Sequence, residues 1–263
     1  MNIMGSIKST SKSTFANLAY HTFYRHKKFE GNRVLLYHSI GTKLNHDSYG
    51  ICISKSMFRR HVKNIAKTRF KVTPLPFKLN KNSFPKSEMT ISISFDDGYQ
   101  DNLSAAEILS DYNLPFTIFV ISDLIGKSTY LNNNQLEELS RLDLCQIGSH
   151  TASHRRLAQL SSQEQYCELK ESKNRLEEII QKDIKLLSYP HGSHSKVTMD
   201  IAKKCGYSFA YSSINGINNT NTLDQFAMRR TEILGSHSEK DLNRRIKGYE
   251  DWYAFKNRID ACK

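Results

Sequence analysis

Apolar residues along this chain fall into short continuous or alternating runs, separated by longer stretches with helical spacing. Val34-Leu35-Leu36-Tyr37 is the first run, ending at His38 ahead of a Gly41 turn. Ser54 then caps a helix in which Phe58, Val62 and Ile65 repeat at helical intervals, with Arg59, Arg60 and Lys63 outside. Residues 74–88, rich in Pro, Asn and Lys, read as loop. A strand over 90–95 places Ile91, Ile93 and Phe95 on one face, and a helix over 101–111 carries Leu103, Ala106 and Leu109. Phe116 to Ile121 is a continuous apolar run of the kind buried in a parallel sheet. Asn134 with Glu137 reads as the next helix start, and Leu144 to Ile147 as another short strand. Ser161 and Glu164 form a capping-box pattern opening the longest helix, 162–181, with Leu169, Leu176, Ile179 and Ile180 inward. Further strands are expected at Leu186–Tyr189, Phe209–Ser212 and Met228–Leu234, with a helix over 196–204 stopped by Gly206 and a basic helix opened by Ser238.

Strands of four to seven residues alternating with helices predict a parallel α/β barrel or a doubly wound sheet. In a barrel, chemistry gathers where strands end at their C-termini. The polar clusters sit at such ends: His38, Asp96-Asp97, His150 and His191. No internal repeat or low-complexity linker divides the chain, so residues 31–263 read as one catalytic domain. Residues 1–30 read as a basic amphipathic extension, where Phe15, Leu18, Ala19, Phe23 and Tyr24 can share a helical face beside Arg25, His26, Lys27 and Lys28. Such a face either packs on its own domain or lies on an anionic membrane surface.

The 263 residues carry a formal charge of +12, which favours an anionic partner such as a phosphate-bearing substrate or acidic lipid, or reflects solubility alone. No zinc-finger, helix-turn-helix or aromatic RNA-binding signature is present, so nucleic acid is not the expected partner. Five cysteines at 52, 145, 167, 205 and 262 are odd in number and contain no C-x-x-C pair. They suit a reducing compartment and argue against a thiolate zinc site. The N-terminus lacks an apolar secretory core, and no run is long enough to span a bilayer. A cytoplasmic protein, with the inner membrane face as a second place of action, is therefore expected.

Two adjacent carboxylates at the end of a buried strand are costly unless a metal ion or a transferable proton compensates them. His150 and His154 stand four apart, which on one helical turn puts both imidazoles on one face, ready for a single metal ion. One of Asp96 and Asp97 completes a two-histidine, one-carboxylate set, and the other is left as the general base that metal-assisted hydrolysis requires.

Three motifs in this order and spacing, Ser94-Phe95-Asp96-Asp97-Gly98, His150-x-x-x-His154 and Ser188-Tyr189-Pro190-His191-Gly192, resemble those of the polysaccharide deacetylases of carbohydrate esterase family 4. The likeness covers about residues 33–235, and the opening Leu35 to Ile40 is similar to the bacterial poly-N-acetylglucosamine deacetylase branch. It implies a distorted (β/α) barrel of about seven parallel strands, a divalent metal that is usually zinc, and hydrolysis of N-acetyl groups on amino sugars. By position, Asp97, His150 and His154 would hold the metal and Asp96 would be the base. Tyr189, Pro190, His191 and Gly192 would contact substrate, with a main-chain N–H of that turn as oxyanion donor. The family's arginine ahead of this turn is missing, Leu186, Leu187 and Ser188 standing there, and Arg230 is the expected replacement. The family's late Leu-x-His acid has Leu234-Gly235-Ser236-His237 as its counterpart, one residue too long, with His38 as rival. The implied substrate is an N-acetylated sugar, phosphate- or lipid-linked if the positive charge bears on it. Two other readings remain: a carbohydrate-binding protein without activity on the same fold, and hydrolysis of another C–N bond such as a formamide.

Overall fold

A computed structural model describes residues 30–42, 47–76, 88–219 and 224–251. The expected amphipathic helix within residues 1–30 lies outside them apart from Glu30. So does the middle of the loop expected over 74–88, and Cys262.

Strands and helices alternate as the hydrophobic pattern predicts. In chain order they are β1 (Gly31–Tyr37), α1 (Lys55–Ala66), β2 (Lys71–Val72), β3 (Met89–Phe95), α2 (Asn102–Ser110), β4 (Phe116–Val120) and α3 (Asn133–Arg141). These are followed by β5 (Cys145–Ser149), α4 (Ser162–Ile180), β6 (Leu186–Ser188), α5 (Lys196–Lys204), β7 (Phe209–Tyr211), β8 (Thr231–Glu232) and α6 (Glu239–Ile246). The sheet runs β7-β6-β5-β4-β3-β1-β8 with β2 beside β3, and every pairing between strands is parallel. Each crossover therefore returns over a face, and all strand C-termini point the same way. The segment 228–232 joins the two edges: Met228 bridges Tyr211, while Thr231 and Glu232 pair with Leu35 and Leu36. The result is a distorted, nearly closed (β/α) barrel in one domain.

The differences from the sequence reading have local causes. β1 begins at Gly31 because Asn32 and Arg33, polar yet buried, find partners: Asn32 donates to Thr90 and Ser92, and Arg33 to Thr231 and Asp251. The last strand is only two residues long because the chain changes edges within it, and the Arg230 N–H leaves the ladder to donate to the Ile214 carbonyl. α3 starts two residues earlier than expected, on a capping box of Asn132 and Gln135. The boxes at Ser161–Glu164 and Ser238–Asp241 do cap α4 and α6. Each such cap is worth about 1 kcal/mol.

Between sheet and helices, Tyr37, Phe58, Phe95 and Phe116 form a chain of ring contacts with centroids 5.2–6.2 Å apart. Rings at such separations add about 0.5–1.5 kcal/mol per pair beyond the apolar area they bury. This packing lies directly beneath His38 and Asp96 and makes the ends of β1 and β3 a rigid platform. Among the described residues, no helix is long and apolar enough to cross a membrane.

Candidate metal centre and acid–base site

β3 delivers the paired carboxylates. Asp97 and Gly98 take consecutive positive φ values of 73° and 74°, which turns the chain sharply off the strand and separates the directions of the two Asp side chains. A side chain at Gly98 would press on Val120, so glycine is required both for the turn and for the space.

Asp96 turns toward the barrel wall, where Arg230 holds it bidentately with both nitrogens at 2.7 Å. The Ser188 hydroxyl donates to Asp96 Oδ2 at 3.0 Å and accepts from Arg230 at 2.7 Å. Arg230 is itself fixed, its Nε donating to the Ser212 carbonyl and its guanidinium lying over the Phe119 ring. Burial pushes the Asp96 carboxyl up, but the Arg230 charge and then that of His150 outweigh it and hold the pKa below the usual range. Asp96 is thus ionised, dry and aimed.

Asp97 faces the other way. Its Oδ1 lies 3.4 Å from Nε2 of both His150 and His154. The two histidines are not on a helical turn, contrary to the spacing argument. Residues 150–156 form a loop in which Thr151 and His154 both have φ of 65°, and two left-handed residues bring the rings together at 4.9 Å between centroids. Left-handed non-glycine residues cost on the order of 1–3 kcal/mol each, so the loop needs outside bonds. The Thr151 and Ala152 carbonyls accept from Ser122 and Asp123, the His154 N–H donates to Thr151 Oγ1, and Glu168 takes the N–H groups of Ala152 and Ser153.

The donor set suits a cation. His150 Nδ1 donates to the Ser188 carbonyl at 2.8 Å, which fixes the tautomer and leaves the Nε2 lone pair facing a carboxylate oxygen. A lone pair against a carboxylate is tolerable only with a proton or a metal ion between them. For the metal-free side chains, burial pushes His150 down, but Asp96 and Asp97 outweigh it and raise its pKa. Burial and then the His150 charge lower His154 to about 4. Asp97 is pushed up by burial, yet the His150 hydrogen bond and the nearby His38 charge hold it well below the carboxylate range. Asp97, His150 and His154 offer donor atoms all within 4.8 Å of one another, and they are the one such group among the described residues.

The turn after β6 closes the third side. Gly192 and Ser193 donate their N–H groups to Tyr189 and Pro190 carbonyls, leaving the His191 N–H as the turn's open donor. Gly192 has φ of 67°, and any Cβ there would overlap Ser213. The His191 ring sits 4.7 Å from that of His154. Tyr189, one of the four residues expected to contact substrate, has no side-chain surface to offer: it is fully buried, its hydroxyl bonded to the Phe226 carbonyl and its ring stacked on His194. Pro190 is buried as well, so His191 and Gly192 are what the turn offers a ligand.

The two rival histidines are placed differently. His38 follows β1, its charge lowers the pKa of both Asp96 and Asp97, and its Nδ1 is buried without a partner. His237 accepts from the Leu234 N–H through Nδ1 and offers its carbonyl to His61. Its charged neighbours are Arg245, Asp241 and His61, away from the Asp pair.

Sequence reasoning missed Ser188, Glu168 and Tyr99. Tyr99 is buried and stacks on Tyr130 at 5.1 Å, and the Asp97 charge helps burial push its phenol up. The usable signal for Glu168 was a polar residue at an inward position of α4, in register with Leu169 and Leu176.

The family model for polysaccharide deacetylases matches residues 84–210, which include the Asp pair, both histidines and the turn after β6. Over that stretch, just under half of its length, the chain is similar to the polysaccharide deacetylase family. A protein assigned to the same deacetylases, YxkH of Bacillus subtilis (strain 168), is 32% identical over 177 residues, covering 66% of this chain and 61% of the relative. The poly-beta-1,6-N-acetyl-D-glucosamine N-deacetylase of Staphylococcus aureus (strain N315) is 24% identical, covering 61% and 60% respectively. The chain thus spans about three fifths of the length of these curated relatives. Among solved structures, the polysaccharide deacetylase BC0361 from Bacillus cereus superposes with a TM-score of 0.73 at 25% identity, over 83% of this chain and 70% of the other. IcaB from Ammonifex degensii shares the deacetylase fold at a TM-score of 0.68 and 19% identity, over 84% and 98%.

Proposed function

We propose that the protein is a metal-dependent N-deacetylase that hydrolyses the acetamide of an N-acetylated amino sugar in a surface polysaccharide or its precursor. The observation that carries this reading is the convergence of Asp97, His150 and His154 beside a second carboxylate, Asp96, that is ionised and held by Arg230. The three converging residues would hold a divalent ion, with imidazole and carboxylate donors suiting zinc. Such an ion supplies positive charge that polarises the amide carbonyl and acidifies a water.

The chain's own residues do the rest. Asp96 accepts the proton of the attacking water, and Arg230 with Ser188 keeps its carboxylate oriented toward that water. The open N–H of His191 donates to the carbonyl oxygen as negative charge builds there. Addition of water and cleavage of the C–N bond give acetate and an amine, which needs a proton to leave. The influence of His38 on both Asp96 and Asp97, which His237 lacks, supports His38 as the group that returns it. The +12 charge and the exposed Arg156, close enough to His191 to lower its pKa, support an anionic, phosphate- or lipid-linked substrate.

The test is acetate release from N-acetylglucosamine oligomers and from diphosphate-linked N-acetyl sugars, with and without chelator. Chelation should abolish release and added zinc restore it, and His150→Ala should lose the metal. Full activity in His150→Ala refutes the assignment. A protein that binds zinc and sugar but releases no acetate is a recognition protein instead.

A further inference from the structure

We propose that Glu168, on helix α4, is a positioning residue that shapes the loop carrying His150 and His154 before any metal arrives. In its coupling to metal affinity this rests on the metal-centre reading given above. Glu168 is 7% exposed, and a carboxylate so deeply buried must be repaid by donors. All of those donors come from the ligand loop. Oε2 accepts from the N–H groups of Ala152 at 3.1 Å and Ser153 at 2.8 Å, and Oε1 accepts from the Ser153 hydroxyl. One turn further along α4, Ser172 Oγ is 2.8 Å from Ser149 Oγ, which in turn accepts from the Thr151 N–H.

The helix therefore grips the loop from Ser149 to Ser153, between and beside the two ligands. Carbonyls of the same loop are held from the opposite side by Ser122 and Asp123. Thr151 and His154, both at positive φ, bracket the two residues that Glu168 holds. Without the carboxylate, the Ser153 N–H and hydroxyl lose their acceptor and the Ala152 N–H keeps only the Glu168 main-chain carbonyl at 3.1 Å, so the loop can relax toward ordinary φ values. His154, the more exposed ligand, would swing away first.

The experiment uses the full chain, stripped of metal and titrated with Zn²⁺ against a chromophoric chelator and with Co²⁺ for its visible spectrum. Hydrogen exchange of amides 152–154 is followed in the metal-free protein. Glu168→Ala should weaken Zn²⁺ binding about 10–100-fold, alter the Co²⁺ spectrum and speed exchange at 152–154. Glu168→Gln, which keeps one acceptor oxygen for the two N–H groups, should fall between it and the parent. Ser153→Ala, which removes only the Oε1 partner, should show a smaller effect of the same kind, and it carries the test with Glu168→Gln if the alanine variant fails to fold. Glu171→Ala, exposed on the same helix, should change nothing. Parental Zn²⁺ affinity in Glu168→Ala overturns the proposal, as does weakened affinity without faster exchange at 152–154. If the parent itself takes up neither ion, the metal reading fails. The exchange data then decide the loop role alone, with unchanged exchange counting against it.

Discussion

Arg33–Asp251 and Arg230–Asp96 are chemically the same pair, buried at opposite ends of one sheet. Both are bidentate, at 3.0 and 2.7 Å for the first and 2.7 Å twice for the second. Arg33 lies near the start of β1, and its carboxylate is saturated by donors: Arg33 itself and Asn215. That pair ties residue 251 back to the barrel floor. Asp96 lies past the end of β3, with His150 Nε2 at 3.7 Å and Asp97 next in the chain. A buried ion pair is weak evidence of stabilisation, because desolvation offsets much of its attraction. Whether such a pair anchors or aims is decided by what stands on the carboxylate's other side.

Neutralising the carboxylates should separate the two cases most widely. Asp96→Asn should lower kcat by about 10²–10⁴-fold with zinc still bound, whereas Asp251→Asn should leave kcat of the folded enzyme unchanged. Equal losses in both variants would break the distinction. Removing the arginines comes next. Arg230→Ala leaves the buried Asp96 carboxylate without its charge partner and should cost about 3–5 kcal/mol in urea unfolding. Arg33→Ala leaves a partly exposed Asp251 that keeps Asn215 and should cost less, and only Arg230→Ala should also impair turnover by the folded protein.

A smaller effect comes from pH. Burial, with the Arg245 charge adding to it, lowers His237 to about 4 in the folded protein, against about 6.5 unfolded. Between these values the unfolded chain binds more protons, so stability rises with pH. The contribution is whole above about 6.5 and is lost as pH falls, reaching about 3 kcal/mol by pH 4. His237→Gln should flatten that part of the pH–stability curve while retaining activity at pH 7. If activity vanishes instead, His237 and not His38 is the proton donor. Smallest of all, Ser188→Ala removes one hydroxyl from the Asp96–Arg230 pair and should cost about 1 kcal/mol with a modest fall in kcat.

Much of the fold was legible because apolar runs and caps are local signals. Ser54, Ser161 and Ser238 each mark a helix start by their own side-chain chemistry, and each accepts the expected N–H. The start of β1 was not legible, since the donors of Asn32 and Arg33 find their acceptors 58 to 218 positions away. The site divides in the same way. Asp96, Asp97, His150 and His191 announce themselves by sitting where strands end. The path between His150 and His154 did not, because four-residue spacing is satisfied equally by a helical turn and by a loop with two left-handed residues. Ser188 and Glu168 act at distances of 92 and 16 residues from what they hold, beyond the reach of any periodicity. Arg230 was expected only because the family resemblance left a place for an arginine.

The segment that closes the barrel, 228–232, is also the one that brings Arg230 to Asp96. During synthesis, every strand up to β7 can be laid down while Asp96 still lacks its partner. Chemistry is thereby coupled to completion: a chain halted near residue 220 would hold most of its helices and both histidines, yet carry a buried carboxylate with no guanidinium. Such a species should be proteolytically fragile and silent as a hydrolase. The last pairing of the sheet thus serves as a checkpoint on assembly, joining the moment of barrel closure to the moment the site becomes competent.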